Sequence, residues 1–100
     1  MKEKMRLGEM AGMQLYKNKE VIYFSNDCAD KVFFLKSGKI KLSKYSDGGK
    51  EIIMSILGSG ELFGERAVTN REYKEVAETL EDAVVCSLSA QQFEALLNRN

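Results

Sequence analysis

The sequence contains no histidine, and this absence excludes more functions than any other feature of its composition. Histidine is the commonest metal ligand in proteins and the usual acid–base group near neutral pH. Without it, a zinc site would need four ligands from two distant cysteines and carboxylates, and a cupin-like enzyme would lack its metal-binding side chains. We therefore predict a protein that is not an enzyme, has no catalytic residue and binds no metal.

Cysteine is also scarce, since only Cys28 and Cys86 are present. Two cysteines are too few for a disulfide framework or an iron–sulfur cluster, so we predict two free thiols. Cys28 lies in the polar loop "SNDCAD" and is either a redox-sensitive thiol or a plain surface cysteine. The neighbouring Asp27 and Asp30 disfavour a thiolate and favour the second interpretation. Cys86, in "VVCSLS", is predicted to be a small core residue.

Long hydrophobic runs are missing as well. No run approaches 18 apolar residues, and the charged start "MKEKMRLGEMAGMQ" is not a secretory signal. The 100 residues are 44% hydrophobic and 30% charged, which is typical of one globular domain. We therefore predict a single cytoplasmic domain, residues 1–100, with no membrane partner.

The net charge is zero but unevenly distributed. Residues 1–50 carry 11 basic and 6 acidic side chains, whereas residues 51–100 carry 4 basic and 9 acidic ones. This balance gives no overall electrostatic footprint for nucleic acid. Lys36, Lys39, Lys41 and Lys44 form a basic stripe that either attracts an anion or a partner or, as we favour, is the solvated face of strands.

Short strands dominate the organisation of the chain. Segments with β-branched or aromatic residues and period-two alternation are separated by turn signals such as Ser37-Gly38 and Gly58-Ser59-Gly60. This spacing favours a sandwich or a barrel-like roll. The predicted strands are residues 13–16, 20–24, 32–36, 39–45, 50–57, 73–79 and 83–88.

The clearest hairpin is "KIKLSKYSDGGKEIIMSIL", residues 39–57. Asp47-Gly48-Gly49 supplies the positive φ angles of a tight turn. Apolar residues occupy both faces of the returning strand, with Ile52, Met54 and Ile56 on one face and Ile53 and Leu57 on the other. This pattern predicts an inner strand covered on both sides.

A helix is predicted to begin after Ser89. Ser89 and Gln92 have the spacing of a capping box, and Leu88 and Phe93 have that of a hydrophobic staple. Phe93, Leu96 and Leu97 recur at helical spacing, so this stripe is expected to pack on the roll.

Two longer segments follow one another along the chain, namely "FFLKSGKIKLSKYSDGGKEIIMSILGSGELFGE", residues 33–65, and "LEDAVVCSLSAQQFEALL", residues 80–97. In this order they resemble the sensor domain of the Crp/Fnr family of bacterial transcription regulators. The resemblance covers roughly residues 16–97. It implies a mainly β, cyclic nucleotide-binding-domain-like fold, namely a double-stranded β-helix (jelly roll) with short flanking helices.

The resemblance also implies a place for the ligand. In members that bind cyclic nucleotides, the glutamate of Phe-Gly-Glu takes the ribose hydroxyl, and an arginine in Arg-Ser/Thr-Ala neutralises the cyclic phosphate. The first half is present as Phe63, Gly64 and Glu65. Where the second half is expected, this sequence has Tyr73-Lys74-Glu75. The candidate ligand-binding residues are therefore Phe63, Gly64, Glu65, Arg66, Arg71, Tyr73 and Lys74.

Each candidate also has a structural interpretation. The glycines serve tight turns, Phe63 is core, Glu65 is a local cap or ion-pair partner, and Arg66 and Arg71 are solvated. Tyr73 and Tyr45 either stack on a planar ligand or pack within the fold, and we favour packing. In an extended segment Lys74 faces away from Tyr73, so it is a poor substitute for the arginine.

The predicted function is an effector-sensing domain that does not bind cyclic AMP in the usual way and needs no cofactor. By resemblance, its context is a homodimeric regulator in which a dimerisation helix and a DNA-binding winged helix-turn-helix follow. Neither lies within these residues, so DNA would be bound only through that missing part, and the small-molecule effector is unidentified. The alternative is a freestanding cyclic nucleotide-binding module that acts on a partner protein.

Overall fold

The computed structural model describes residues 12–65 and 71–98, which form eight strands and one helix. None of the helical structure in these two stretches is long and apolar enough to span a membrane. The elements are β1 (Gly12–Tyr16), β2 (Val21–Tyr23), β3 (Lys31–Ser37), β4 (Ile40–Tyr45), β5 (Glu51–Leu57), β6 (Leu62–Phe63), β7 (Val76–Thr79), β8 (Ala83–Ser89) and α1 (Ala90–Leu97).

Two antiparallel four-stranded sheets make up the roll. One sheet has the strand order β1-β8-β3-β6 and the other has the order β2-β7-β4-β5. Most neighbours in each sheet are distant in sequence, so the chain passes back and forth between the sheets. This arrangement confirms the predicted mainly β jelly roll.

The core lies between the two sheets. Inward-facing residues alternate along the strands, and Leu35 of β3, Ile40 of β4 and Ala77 of β7 are each 0% exposed. The rest of the buried cluster is Tyr23, Ala29, Phe33, Leu57, Phe63, Tyr73, Ala83 and Val85.

All seven predicted strands are present, but one of them begins later than predicted and an eighth strand was not predicted. The strand predicted from residue 73 begins at Val76, because Tyr73 pairs instead with the loop between β2 and β3. The two-residue β6 was not predicted, since so short a segment shows no periodicity.

The prediction that β5 is an inner strand was wrong. β5 is the edge of its sheet, and Ile52, Ile53, Met54 and Ile56 are 51–58% exposed, so only Leu57 of the strand is buried. An apolar run alone does not distinguish a central strand from an edge strand that exposes both faces.

The hairpin turn between β4 and β5 is confirmed. Gly49 has a φ of +84°, and its N–H donates to the Ser46 carbonyl at 2.8 Å. Gly38, between β3 and β4, has a φ of +104° and lies directly against Asp82 and Ala83. Both positions need the conformational freedom of glycine.

The helix cap is also confirmed. The Gln92 N–H donates to the Ser89 hydroxyl at 3.0 Å, and the Ser89 N–H donates to the Gln92 side-chain oxygen at 2.9 Å. The apolar side of α1, formed by Phe93, Leu96 and Leu97, is less buried than predicted. Leu97 is 63% exposed, and no residue of α1 is fully buried.

The two thiols are free, as predicted. Cys28 is exposed, in agreement with a surface cysteine. The prediction of a core Cys86 was wrong, because Val85 takes the inward position on β8 and leaves Cys86 half-buried beside it.

Candidate functional site

The Phe-Gly-Glu step lies at the end of β6. Phe63 is 1% exposed and stacks on Phe33 with ring centroids 5.3 Å apart. Gly64 has a φ of +79°, and a Cβ there would approach Phe33 and Tyr73 ring carbons at 3.2 Å. The glycine therefore lets the backbone turn against aromatic rings and leaves Glu65 exposed to solvent.

Tyr73 points into the roll. It is 5% exposed and stacks on Tyr23 with centroids 3.7 Å apart and the planes inclined by 10°. The Tyr73 hydroxyl donates to the Lys31 carbonyl at 2.9 Å. Tyr73 therefore packs within the fold, as we favoured. The same prediction was wrong for Tyr45, which is 52% exposed.

A carboxylate is hydrogen-bonded to one of the two stacked tyrosines, Tyr23. The Tyr23 hydroxyl donates to a Glu75 carboxylate oxygen at 2.8 Å. Sequence analysis did not single out Tyr23, Phe33 or Glu75 as site residues. Because Tyr73 and Glu75 are two positions apart, an extended segment places them on the same face, and this spacing could have indicated Glu75. No local pattern indicated that Tyr23 would contact Glu75.

The two basic candidates that the structure describes, Arg71 and Lys74, are not part of this aromatic cluster. Lys74 is exposed and forms an ion pair with Glu72 at 3.6 Å, which confirms that it faces away from Tyr73. Arg71 is also exposed and has a φ of +62°. Arg66 lies outside the described residues, and its predicted role stays a prediction.

The lysine stripe lies on strands rather than around a site. Lys36, Lys39 and Lys44 are exposed, as the solvated-face interpretation predicts. Lys41 is half-buried and contacts Glu51 at 2.8 Å and Glu78 at 3.7 Å. Hydrogen bonding to Lys41 lowers the pKa of Glu51. Lys41 therefore links β4 to β5 and β7.

Burial raises the pKa of both stacked phenols. It raises the pKa of Tyr73 to about 12. Burial and then the hydrogen bond to Glu75 raise the pKa of Tyr23 far above its usual value, with a smaller contribution from Glu65. Both hydroxyl protons are already donated within the protein, that of Tyr23 to Glu75 and that of Tyr73 to the Lys31 carbonyl.

Raising the pH from about 9 to about 11 should destabilise the fold through these tyrosines. Below about pH 10 both phenols keep their protons whether the chain is folded or unfolded; above it the unfolded chain loses them first. The stabilisation is therefore lost as the pH rises toward the folded-state pKa values, by about 1.4 kcal/mol per pH unit for each tyrosine.

Urea denaturation at the two pH values measures this loss. Tyr23→Phe should lose less stability over the interval than the unmodified chain, and Tyr45→Phe should behave like the unmodified chain. Equal losses in all three proteins would contradict the assignment to buried tyrosines.

A cavity of about 350 Å³ borders the stacked tyrosines. Its walls come from β1, β2, β3 and β8, with Tyr73 and the loop between β2 and β3. Aromatic rings form part of the wall, whereas Asp27, Asp30 and Lys31 are its charged groups. Within residues 12–65 and 71–98, no group of three or more cysteine, aspartate or glutamate residues is placed to hold a metal ion.

The loop between β2 and β3 connects this region to α1. The Asn26 N–H donates to the Tyr73 carbonyl at 2.7 Å, and the Ala29 N–H donates to that of Arg71 at 2.9 Å. At the far end of the loop, the Asp30 carbonyl accepts from the Ala90 N–H at 2.9 Å, in the first residue of the helix.

Comparison with known proteins identifies relatives of the whole domain. The family model for the cyclic nucleotide-binding domain matches residues 13–100. The chain is 31% identical over 87 residues to the cyclic AMP receptor protein of Thermus thermophilus, an alignment that covers 86% of this chain and 40% of that protein. It is 39% identical over 71 residues to a cGMP-dependent protein kinase of Toxoplasma gondii, covering 71% of this chain and 7% of the kinase.

A solved structure of a similar bacterial protein also superposes on this fold. The crystal structure of Thermus thermophilus catabolite activator protein superposes with a TM-score of 0.85 at 28% identity, covering 98% of this chain and 46% of that one. The chain therefore spans less than half the length of these relatives.

Proposed function

This chain belongs to the cyclic nucleotide-binding domain family, and from that membership we propose that it is the effector-sensing domain of a longer Crp/Fnr-type transcription regulator. In this proposal the domain is not an enzyme, acts in the cytoplasm and controls DNA binding by a segment that follows it. The similarity to bacterial regulators over most of the chain supports the proposal.

The position of Tyr73 supports a sensor that does not take a cyclic nucleotide in the usual way. By the resemblance, Tyr73 takes the place of the family's phosphate-binding arginine, and its ring is stacked on Tyr23 inside the roll. Among the described residues, Glu75 is bound to Tyr23 and Lys74 is paired with Glu72 outside, so neither supplies a cation for a phosphate at Tyr73. A buried anion without a cationic partner is costly.

A route for the signal follows from the backbone hydrogen bonds. An effector that changes the packing of Tyr73 acts on the loop at Asn26, and the same loop bonds to α1 through Asp30. An effector that binds one of two arrangements of this loop more tightly than the other would shift the position of α1. In the longer protein, that shift would alter the dimer that we propose.

DNA binding by the longer protein from the same reading frame tests the proposal. We expect it to be a dimer that binds a two-fold symmetric DNA site, with an affinity that cyclic AMP and cyclic GMP leave unchanged, and we expect residues 1–100 alone to show no specific binding. Fluorescence anisotropy with labelled operator fragments and a scrambled control measures both. A reading frame that encodes no DNA-binding segment would overturn the proposal.

The second candidate is a regulatory module that acts on a partner protein. The 39% identity to part of a cGMP-dependent protein kinase favours it. The same reading frame separates the two candidates, because a catalytic domain or a freestanding module in place of a DNA-binding segment would support this second one.

A further inference from the structure

β5 differs from the other edge strands of the described sheets. Three of the four edges are short, since β1 has five residues, β2 has three and β6 has two. β5 has seven residues, and four of its apolar side chains, Ile52, Ile53, Met54 and Ile56, are 51–58% exposed. Soluble proteins generally keep edge strands short or charged, because unpaired backbone groups attract another strand. β5 therefore combines a long free edge with exposed apolar side chains.

The sequence of β5 gives this edge little protection against pairing. The strand contains neither proline nor lysine, and its one charged residue, Glu51, is bound to Lys41 of β4 at 2.8 Å. A bulge at Met54, opposite Leu42 and Ser43, interrupts the regular ladder to β4. Such a bulge increases the local twist but supplies no partner for the backbone groups on the free side of the strand. The free edge of β5 can therefore accept a second strand.

The side chains of β5 define the strand that would fit beside it. Successive residues of an extended strand point to opposite faces of a sheet, and the neighbours Ile52 and Ile53 are 54% and 53% exposed. Both faces of β5 are therefore apolar and open to solvent. A matching strand must be free along one edge and apolar on both faces, and β5 of a second copy has both properties.

We propose that β5 pairs antiparallel with β5 of a second copy of this chain, so that two four-stranded sheets join into one continuous sheet. A two-fold axis between identical strands gives a closed, symmetric dimer. The interface consists of one strand from each copy, so it is small and the association is weak. This inference goes beyond the proposed function, because it depends on neither an effector nor a DNA-binding segment.

A register centred on Met54 makes β5 complementary to itself. In this register Met54 lies opposite Met54 of the other copy, and Ile52 lies opposite Ile56 at two symmetry-related places. Cross-strand pairs of β-branched residues stabilise a sheet. Glu51 lies opposite Leu57, so no two like charges face each other across the paired strands. The charges of β5 therefore do not oppose the dimer.

Sedimentation velocity of the 100-residue chain from about 10 µM to about 1 mM, a range that covers weak dissociation constants, tests the proposal. We expect a reversible equilibrium between monomer and dimer. Ile53→Lys should raise the dissociation constant about tenfold or more, because lysine on an edge strand opposes pairing. Its cross-strand neighbour on β4 is Ser43, so the new charge faces no lysine within the sheet. Leu15→Lys, at a 77% exposed position of the edge strand β1, is the matched control and should leave the constant unchanged.

Amide hydrogen exchange distinguishes strand pairing from non-specific contact between apolar side chains. The N–H groups on the free edge of β5 should exchange more slowly at the high end of this concentration range than at the low end, and those of β1 should not change. A chain that stays monomeric, equal effects of Ile53→Lys and Leu15→Lys, or exchange from β5 that is independent of concentration would each overturn the inference. Circular dichroism of each variant confirms that it is folded. Failure here leaves the proposed regulator intact, because the test of that proposal is DNA binding by the longer protein.

Discussion

Gly38→Ala should destabilise this domain by about 3 kcal/mol or more, because the new methyl group is both conformationally strained and sterically blocked. The φ of +104° disfavours any L residue with a side chain. A Cβ built at Gly38 would lie 2.7 Å from the Ala83 Cβ and from the Asp82 carbonyl oxygen. Those atoms belong to the chain entering β8, the strand that joins β1 to β3, so they have little room to move.

Gly49→Ala is the matched control. Gly49 also has a positive φ, +84°, but a Cβ there would meet nothing within 4 Å. The Gly49→Ala variant should therefore lose only about 1 kcal/mol of stability, from backbone strain alone. Thermal and urea denaturation of the two variants measure the difference. Equal losses would show that the contact with Ala83 is not constrained as the structure indicates.

The fold was largely predictable because its signals are local. Period-two alternation located seven of the eight strands, and the spacing of Ser89 and Gln92 located the start of α1. The relatives confirm the resemblance to Crp/Fnr regulators that these segments indicated. The error at β5 has a physical origin, since strand order depends on pairing between distant segments and an apolar edge strand has the same sequence pattern as a central one.

The candidate site was predictable only in part. Alternation alone placed Tyr73 and Lys74 on opposite sides, and the structure agrees. The contact between Tyr23 and Glu75 joins residues 52 positions apart, so no local pattern could reveal it. For the same reason the sequence did not show that Tyr73 would be closed in by another tyrosine.

The second large effect concerns nucleotide binding. A guanidinium that holds a desolvated phosphate makes a charge-assisted interaction, and its absence leaves about 2–5 kcal/mol uncompensated. That free energy corresponds to a loss of about 30-fold to about 5,000-fold in affinity. In the proposed assignment a phosphate would lie against Tyr73, and the stacking of this ring on Tyr23 would have to be broken first, which weakens binding further.

Isothermal calorimetry of the 100-residue chain with cyclic AMP and cyclic GMP is the most direct test of this account. Glu65→Ala serves as the site variant and Lys74→Ala, at an exposed position, as the control. We predict no saturable heat with either nucleotide for any of the three proteins. Saturable micromolar binding that Glu65→Ala abolishes and Lys74→Ala preserves would contradict the account, because it would mean that the Phe-Gly-Glu step binds a cyclic nucleotide despite Tyr73.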